Sequence, residues 1–230
     1  MPPQPDGRLR IAIDGPAGAG KSTVAKEVAR RLGISYLDTG AMYRAAAWLA
    51  LRFGIGLTDA DSIANMLEQK PPRFTCDHDG NMEVYWSGER ITEVLRTPEV
   101  SEAVSALSAH PRIRQILTSW QSEYGDEHDV VMDGRDIGTV VLPNAEVKVF
   151  LTADLKERAA RRANELTRKG LTTSTEEMAL AIEKRDAHDT GRTIAPLRQA
   201  PDAHRIDSTG RSVEEVVDSI LSLVPWEYSS

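Results

Sequence analysis

One stretch near the amino end reads Gly15-Pro16-Ala17-Gly18-Ala19-Gly20-Lys21-Ser22, the G-x-x-x-x-G-K-S pattern of a phosphate-binding P-loop. The short apolar run 9–13 before it predicts a buried strand. Apolar residues at helical spacing follow it as far as Leu32, and Gly33 stands where a helix C-cap belongs. Strand, glycine-rich turn and helix come in the order that the motif requires, so the sequence predicts a nucleoside triphosphate site here.

The P-loop offers three kinds of contact to phosphate. Its glycines let the backbone curl until successive N–H groups point inward, and the start of the following helix adds partial positive charge. Lys21 can reach the β- and γ-phosphates, and the Ser22 hydroxyl can ligate Mg²⁺. The predicted triphosphate ligands are Gly15, Pro16, Ala17, Gly18, Ala19, Gly20, Lys21, Ser22 and Thr23.

Length, charge and composition narrow the class of protein. A chain of 230 residues is long enough for one sizeable α/β domain. The net charge of −7 argues against a general nucleic-acid binder, which usually has a basic surface. Cys76 is the only cysteine, which excludes an internal disulfide and a zinc site made of cysteines. None of the five histidines has a partner at metal-ligand spacing.

Nothing in the sequence predicts contact with a membrane. The Pro-rich residues 1–7 lack the apolar core of a signal peptide, and we expect them to be flexible. No run approaches the ~18 apolar residues that a membrane span needs. We therefore expect a cytoplasmic protein, and one compact domain makes a monomer the default.

Predicted strands and helices alternate along most of the chain, which implies a parallel sheet covered by helices on both faces. The predicted strands lie at 9–13, 34–37, 130–133, 147–151 and 204–207. Helix starts are marked by Asp38 or Thr39, by Thr97-Pro98, and by capping boxes at Ser174 and Ser212. We also expect Thr58 to open a helix near 59–69, and Gly125 to close the helix that begins at Pro111.

Residues 73–92 depart from this alternation. Two strand-like segments flank Asp79-Gly80, a hairpin signal, and Ser87-Gly88 turns the chain again before a third segment at 90–92. The sequence predicts a small antiparallel sheet here. It is too small to fold alone, so we expect it to form a flap beside the site.

Asp133-Gly134-Arg135-Asp136 follows a predicted central strand, at the sheet edge where α/β proteins bind ligands. Asp133 is placed like a Walker B acid that holds Mg²⁺ through water. Arg135 can fork a phosphate, and Asp136 could accept a hydrogen bond from an amino group on a base. An exposed turn with a weak Arg–Asp pair is the alternative, and the P-loop beside it favours the functional interpretation.

Further arginines lie near predicted helix ends. Arg44 is about one turn into the helix after Asp38, near enough for a second phosphate, although spacing alone favours an ordinary solvated arginine. Two helices joined around Gly170 carry arginines and predict a mobile lid. The residues concerned are Arg158, Arg162, Arg185, Asp189 and Arg192. For Arg161 we expect a solvated face shared with Glu157.

Five blocks of this sequence together resemble the bacterial cytidylate kinase family. They are residues 13–22 around the P-loop, Asp38-Thr39-Gly40-Ala41-Met42-Tyr43-Arg44, Asp133-Gly134-Arg135-Asp136-Ile137-Gly138-Thr139-Val140-Val141, Arg185-Asp186 with Asp189 and Arg192, and Ala200-Pro201-Asp202-Ala203 followed by Ile206-Asp207-Ser208-Thr209. They keep their order and cover nearly the whole chain. The P-loop alone would not single out this family, but the set does.

The resemblance implies the P-loop nucleoside monophosphate kinase fold, in one domain over 8–230. That fold has a parallel β-sheet flanked by helices, a small antiparallel β insert and a helical lid. The core would comprise 8–37, 128–154 and 193–225, the monophosphate-binding region with the insert about 38–125, and the lid about 155–192. The implied reaction is ATP-dependent, Mg²⁺-dependent phosphorylation of CMP or dCMP to CDP or dCDP, in pyrimidine nucleotide metabolism (EC 2.7.4.25).

The resemblance also assigns roles position by position. Cytosine would meet Ser105, Arg114 and Asp136, and the sugar would meet Arg185 and Asp189. The acceptor phosphate and its surroundings would be held by Thr39, Tyr43, Arg44, Arg135 and Arg192. Lys21, Arg158 and Arg162 would contact the phosphates of ATP. Ser22 and Asp133 would bind Mg²⁺, Asp133 through water. The catalytic set is Lys21, Arg135, Arg158, Arg162 and Arg192.

Three alternatives compete with this interpretation. A kinase for another small acceptor shares the P-loop, and the arginines on the acceptor side favour an anionic one. A GTP-dependent switch usually carries an N-K-x-D signature, and the sequence has no Asn-Lys pair. A nucleic-acid factor that uses the basic stretch 158–169 conflicts with the acidic net charge.

Overall fold

The computed structural model describes residues 7–77, 82–168, 170 and 173–228, and within them eight strands and eight α-helices. The strands are β1 (Arg10–Asp14), β2 (Ser35–Asp38), β3 (Arg73–Cys76), β4 (Met82–Trp86), β5 (Glu89–Arg90), β6 (Val130–Gly134), β7 (Val147–Thr152) and β8 (His204–Asp207). The helices are α1 (Lys21–Leu32), α2 (Thr39–Arg52), α3 (Ala60–Gln69), α4 (Pro98–Leu107), α5 (Pro111–Glu127), α6 (Leu155–Arg168), α7 (Thr175–Thr190) and α8 (Val213–Leu221). The predicted turn at Asp79-Gly80, and all but Gly7 of the predicted flexible segment 1–7, lie outside the described residues.

Five parallel strands form the central sheet in the order β2-β6-β1-β7-β8. The register aligns Asp38 of β2 with Asp133 of β6, and Asp14 of β1 with Gly134. The carboxyl ends of these three neighbouring strands therefore meet at one edge of the sheet. The P-loop leaves β1 at that edge, so the predicted phosphate and metal residues converge there.

Helices cover both faces of this sheet, as the alternation predicted. Ile11 and Ile13 of β1 point into a core shared with α1 and α8, whereas Ala12 between them belongs to a core shared with α2, α3, α4 and α5. All three residues are fully buried. Period-two alternation thus sends neighbouring apolar residues to opposite faces. The predicted α/β fold class is confirmed.

The predicted antiparallel insert is present as the sheet β3-β4-β5. Phe74 pairs with Val84, and Tyr85 pairs with Arg90. The third strand, Glu89–Arg90, has two residues and begins one residue before the predicted segment 90–92, while the next residue, Ile91, is buried with Leu95 in the core that includes α2.

Most helix starts are confirmed, and two predicted helix boundaries are wrong. Asp38 caps α2, and complete capping boxes open α7 and α8. The N-cap of α3 is Asp59 rather than Thr58, because the Asp59 carboxylate accepts from Ser62 N–H. Helix α5 continues past Gly125: a Cβ there would stand 2.5 Å from Leu142 Cδ2, so this glycine permits close packing instead of ending the helix.

Two further features complete the description. Residues Ile137–Val141 form a π-helical turn directly after β6, which the apolar pattern did not predict. Across the described part of the chain, no helix is both long enough and apolar enough to cross a membrane.

Candidate active site

The P-loop connects β1 to α1, and two of its glycines lie close to backbone carbonyl groups of other segments. Gly15 and Gly18 have positive φ angles of 150° and 76°. A Cβ on Gly15 would stand 2.0 Å from the Leu151 carbonyl oxygen, and one on Gly18 would stand 3.0 Å from that of Arg158. Helix α1 has no side-chain cap and no acidic residue in its first turn. Its first N–H groups and its positive dipole end therefore remain available to an anion.

Lys21 is buried at this end of α1, and its Nζ donates to the Pro16 carbonyl at 2.8 Å. Burial lowers the pKa of Lys21, and the positive charge of Arg135 adds to that effect. A phosphate group at the P-loop would supply the negative charge that this ammonium group needs.

Asp133, at the carboxyl end of β6, joins the P-loop to β2. Its Oδ2 accepts from Ser22 Oγ at 2.9 Å, and its Oδ1 accepts from the Tyr36 hydroxyl at 2.8 Å. Burial raises the pKa of Asp133, and the nearby carboxylate of Asp38 raises it further. Ser22 and Asp133, predicted as metal ligands, are therefore adjacent. The contact of Tyr36 with Asp133 was not predicted, because the sequence pattern indicated only that Tyr36 lies in a strand.

Asp189 of α7 links two predicted acceptor-side arginines. Arg135 Nε donates to its Oδ2 at 2.7 Å, and Arg192 donates to its Oδ1. Burial alone would raise the pKa of Asp189, but Arg135 and Arg192 hold it below its usual range. Arg192 also donates to Ser108 Oγ at 2.9 Å. Ser108 is a contact that the sequence did not predict, and the side chain of Ser105 lies outside the described residues.

Arg114 and Asp136 form a buried ion pair, with side chains 5% and 8% exposed. Arg114 Nη1 also donates to the Ser108 carbonyl at 3.3 Å, and its guanidinium lies 5.6 Å from the centre of the Tyr43 ring. Burial raises the pKa of Asp136, while Arg114 opposes that rise. Three residues that the resemblance assigns to the acceptor, Tyr43, Arg114 and Asp136, are thus adjacent.

Arg44 and Thr39 lie at the start of α2 near this cluster. Arg44 Nη2 donates to Asp38 Oδ2 at 2.7 Å, and the Thr39 hydroxyl donates to the Asp133 carbonyl at 2.7 Å. Among the described side chains, the buried Nε atoms of Arg44 and Arg192 have no hydrogen-bond partner. Buried donors of this kind cost free energy unless a ligand accepts from them.

The lid residues contact the P-loop more closely than predicted. Arg158 Nη1 donates to the Ala17 carbonyl at 2.9 Å. Arg161 pairs with Glu157 as expected, but it also donates to the Ser208 carbonyl at 2.8 Å and the Ala19 carbonyl at 3.4 Å. The prediction of a merely solvated Arg161 is therefore wrong, because α6 packs its arginine face onto the P-loop.

Arg162 and Arg185 are the two remaining lid arginines to which the resemblance assigns a role. Arg162 is paired with Glu165 at 2.6 Å and lines the cleft. Arg185 is exposed as a whole residue. Loss of solvent around its guanidinium lowers its pKa to about 10, and the positive charge of Arg135 is the second cause. Arg185 therefore keeps its charge near neutral pH.

A cleft of about 1410 Å³ runs from the P-loop to the antiparallel insert. Ser22 and Arg44 line it on the core side, and Met82 and Val84 of β4 line it on the insert side. The insert thus lies beside the site, where the flap was predicted.

Asp14 is a buried site residue whose function the sequence did not predict. Its two oxygens accept from the Ile137 and Gly138 N–H groups, both at 2.8 Å. Burial raises its pKa to about 6, against the lowering effect of these bonds. The last residue before the P-loop therefore holds the turn that follows Asp136. The only sequence signal for a function of Asp14 was its position at the end of a strand.

The chain is similar to proteins of known name over nearly its whole length. The family model described as cytidylate kinase matches residues 11–225. A cytidylate kinase of Desulfitobacterium hafniense is 50% identical over 94% of this chain and 92% of its own, and one of Ligilactobacillus salivarius is 48% identical over 94% and 96%. A solved structure of an uncharacterized Eubacterium ventriosum protein has a TM-score of 0.52 at 13% identity over 94% of this chain and 98% of its own, which is a likeness of fold. The chain belongs to the cytidylate kinase family.

Proposed function

We propose that this protein transfers the γ-phosphate of ATP to CMP or dCMP, which gives ADP with CDP or dCDP. The observation that carries the proposal is the position of the uncapped P-loop helix beside a cluster of acceptor-side arginines and the buried Arg114–Asp136 pair. One end of this site suits a triphosphate, and the other offers a guanidinium and a carboxylate to a base. Family membership supports the same reaction.

On the donor side, Lys21 and the N–H groups at the start of α1 would bind the β- and γ-phosphates of ATP. Arg158 and Arg162 would approach those phosphates from the lid. Each of these groups neutralises charge that spreads over the phosphoryl oxygens during transfer. The chain needs no strong base, because positioning and charge neutralisation supply most of the catalysis.

On the acceptor side, the arginines would orient the CMP phosphate for in-line attack. Arg44, Arg135 and Arg192 would bind that phosphate beside Thr39 and Tyr43. Asp189 accepts hydrogen bonds from Arg135 and Arg192 and, with Arg185, would contact the sugar. Ser105, Arg114 and Asp136 would contact cytosine.

Ser22 and Asp133 fit a magnesium site. Their side-chain oxygens are 2.9 Å apart beside the P-loop, and oxygen ligands are those that Mg²⁺ prefers. Ser22 would ligate the ion directly and Asp133 through water. The ion, when bound with ATP, supplies further neutralisation of phosphate charge.

Steady-state assays test this function most directly. With ATP and Mg²⁺ present, we expect phosphorylation of CMP and dCMP with kcat/KM at least ~10-fold above that for UMP, because uracil lacks the amino donor from which the Asp136 carboxylate would accept. AMP and GMP are measured in the same assay. Preference for another monophosphate, or for an uncharged hydroxylated acceptor, would contradict the proposal.

We further propose that α6 and α7 close as a lid over both nucleotides. Arginines on these helices find phosphate partners only when donor and acceptor phosphates are present, so a bisubstrate analogue should protect 155–192 from hydrogen exchange more than ATP or CMP alone. Helix α8 lies on the core and serves as the reference segment. Equal protection of 155–192 in all ligand states would exclude closure.

Cytoplasmic location and a monomeric state stay predictions.

A further inference from the structure

Asp186, on the last turns of α7, contacts the donor side of the site and has no assigned role. Its Oδ1 accepts from the Ala17 backbone N–H at 2.9 Å, and its Oδ2 accepts from Arg158 Nη1 at 2.5 Å. Its carboxylate is mostly buried, with 19% of the side chain exposed. One carboxylate thus joins the P-loop, the start of α6 and the end of α7.

The same contacts immobilise Arg158 and the Ala17 peptide. Arg158 donates to the Ala17 carbonyl at 2.9 Å and, through Nε, to the Ala153 carbonyl at 3.0 Å. Both backbone polar groups of Ala17 are therefore bound, one by Asp186 and one by Arg158. The Ala17 side chain packs against Ala159 and Ile182 in a small apolar cluster, which brings the P-loop against both lid helices.

The Asp186 carboxylate accepts from the N–H of Ala17, a predicted triphosphate ligand, so this one P-loop N–H group is already bound by protein. The N–H groups at the start of α1 follow the N-cap Gly20, have no side-chain cap and remain available to an anion. Asp186 also places a negative charge beside Arg158, which would otherwise be repelled by the other cations of the site.

We propose that Asp186 is a positioning residue for the donor nucleotide. It holds the Arg158 guanidinium and the Ala17 peptide in the geometry that receives the triphosphate, so the P-loop and the lid arginine are ordered before ATP binds. The inference rests on the proposed function, in which Arg158 attends the donor phosphates. It adds a residue that touches neither nucleotide but acts through Arg158 and the P-loop.

Asp186→Asn is the test variant, because it keeps an acceptor for Ala17 N–H and removes the charge that orients Arg158. Binding of a non-hydrolysable ATP analogue, measured by calorimetry without acceptor, should weaken by roughly 10-fold, since a charge-assisted hydrogen bond contributes on this scale. In steady-state assays the KM for ATP should rise similarly, while the KM for CMP stays within about 2-fold. Glu183→Gln is the control, because it removes one negative charge from an exposed position on the same helix. It should leave the affinity for the ATP analogue and the KM for ATP unchanged.

A double-mutant cycle separates this role from a structural one. In an Arg158→Gln background, Asp186→Asn should change analogue binding by less than about 2-fold, because its partner is already absent. If the single variant does not fold, Asp186→Asn/Arg158→Gln is compared with Arg158→Gln alone. Tighter analogue binding in Asp186→Asn, an equal rise in both KM values, or an undiminished effect in the Arg158→Gln background would overturn the proposal. Wild-type protein inactive on CMP would instead contradict the proposed function, since the calorimetry needs no acceptor.

Discussion

Lys21→Ala is expected to lower kcat by at least ~100-fold, because one preorganised electrostatic donor contributes a few kcal/mol in the transition state. The Lys21 ammonium is buried among P-loop backbone and its Nζ bonds to the Pro16 carbonyl, so it is preorganised before ATP arrives. No other lysine stands in the P-loop, and the side chains of Arg158 and Arg162 come from a different element. Loss of Lys21 should therefore leave the γ-phosphate charge poorly neutralised during transfer.

The measurement is single-turnover and steady-state phosphorylation of CMP by purified Lys21→Ala, together with its thermal unfolding. The fold should be retained, since burial already disfavours the charged form of Lys21 and its removal relieves that cost. Lys156→Ala, at an exposed position of α6, is the matched control and should keep normal turnover. Near-normal turnover by Lys21→Ala would exclude phosphoryl transfer at this P-loop.

Asp136→Asn is expected to reduce the preference for CMP over UMP chiefly by loss of activity on CMP. Cytosine presents an amino donor beside two acceptors, and the Arg114–Asp136 pair offers a carboxylate to the first and a guanidinium to the others. The O4 of uracil would face the carboxylate as a second acceptor, and such an unpaired buried group costs roughly 1–3 kcal/mol. An asparagine amide can rotate to offer O4 a donor, so the ratio should fall from at least ~10-fold towards unity.

The ratio of kcat/KM for the two acceptors is its own control, because a defect in folding lowers both values together. Such a defect is expected to some degree, since Asp136→Asn leaves the buried Arg114 without its counter-charge. Thermal unfolding of the variant measures this loss of stability. An unchanged CMP-to-UMP ratio would show that Asp136 does not contact the base, and its role would then lie at the sugar or the metal.

Features set by neighbours along the chain could be read from the sequence. The P-loop, the capping boxes at Ser174 and Ser212 and the parallel strands depend on local spacing and backbone preference, and the structure confirms them. The sequence likewise predicted roles for Asp133 and Asp136, because one ends a predicted strand and the other follows it at the edge where ligands bind. Local chemistry therefore determined the fold class, and it predicted the donor end of the candidate site.

Features set by residues far apart along the chain depended on the tertiary structure. Asp186 reaches Ala17, and Arg161 reaches Ser208, only because α6 and α7 pack onto the P-loop. Gly125 looked like a helix end until the close approach of Leu142 showed why a glycine is needed inside the helix. A sequence records which groups can donate, accept or carry charge, but strand order and helix packing decide which of them meet. Apart from the local contact between Asp189 and Arg192, the partners of the buried carboxylates were therefore decided by three-dimensional packing.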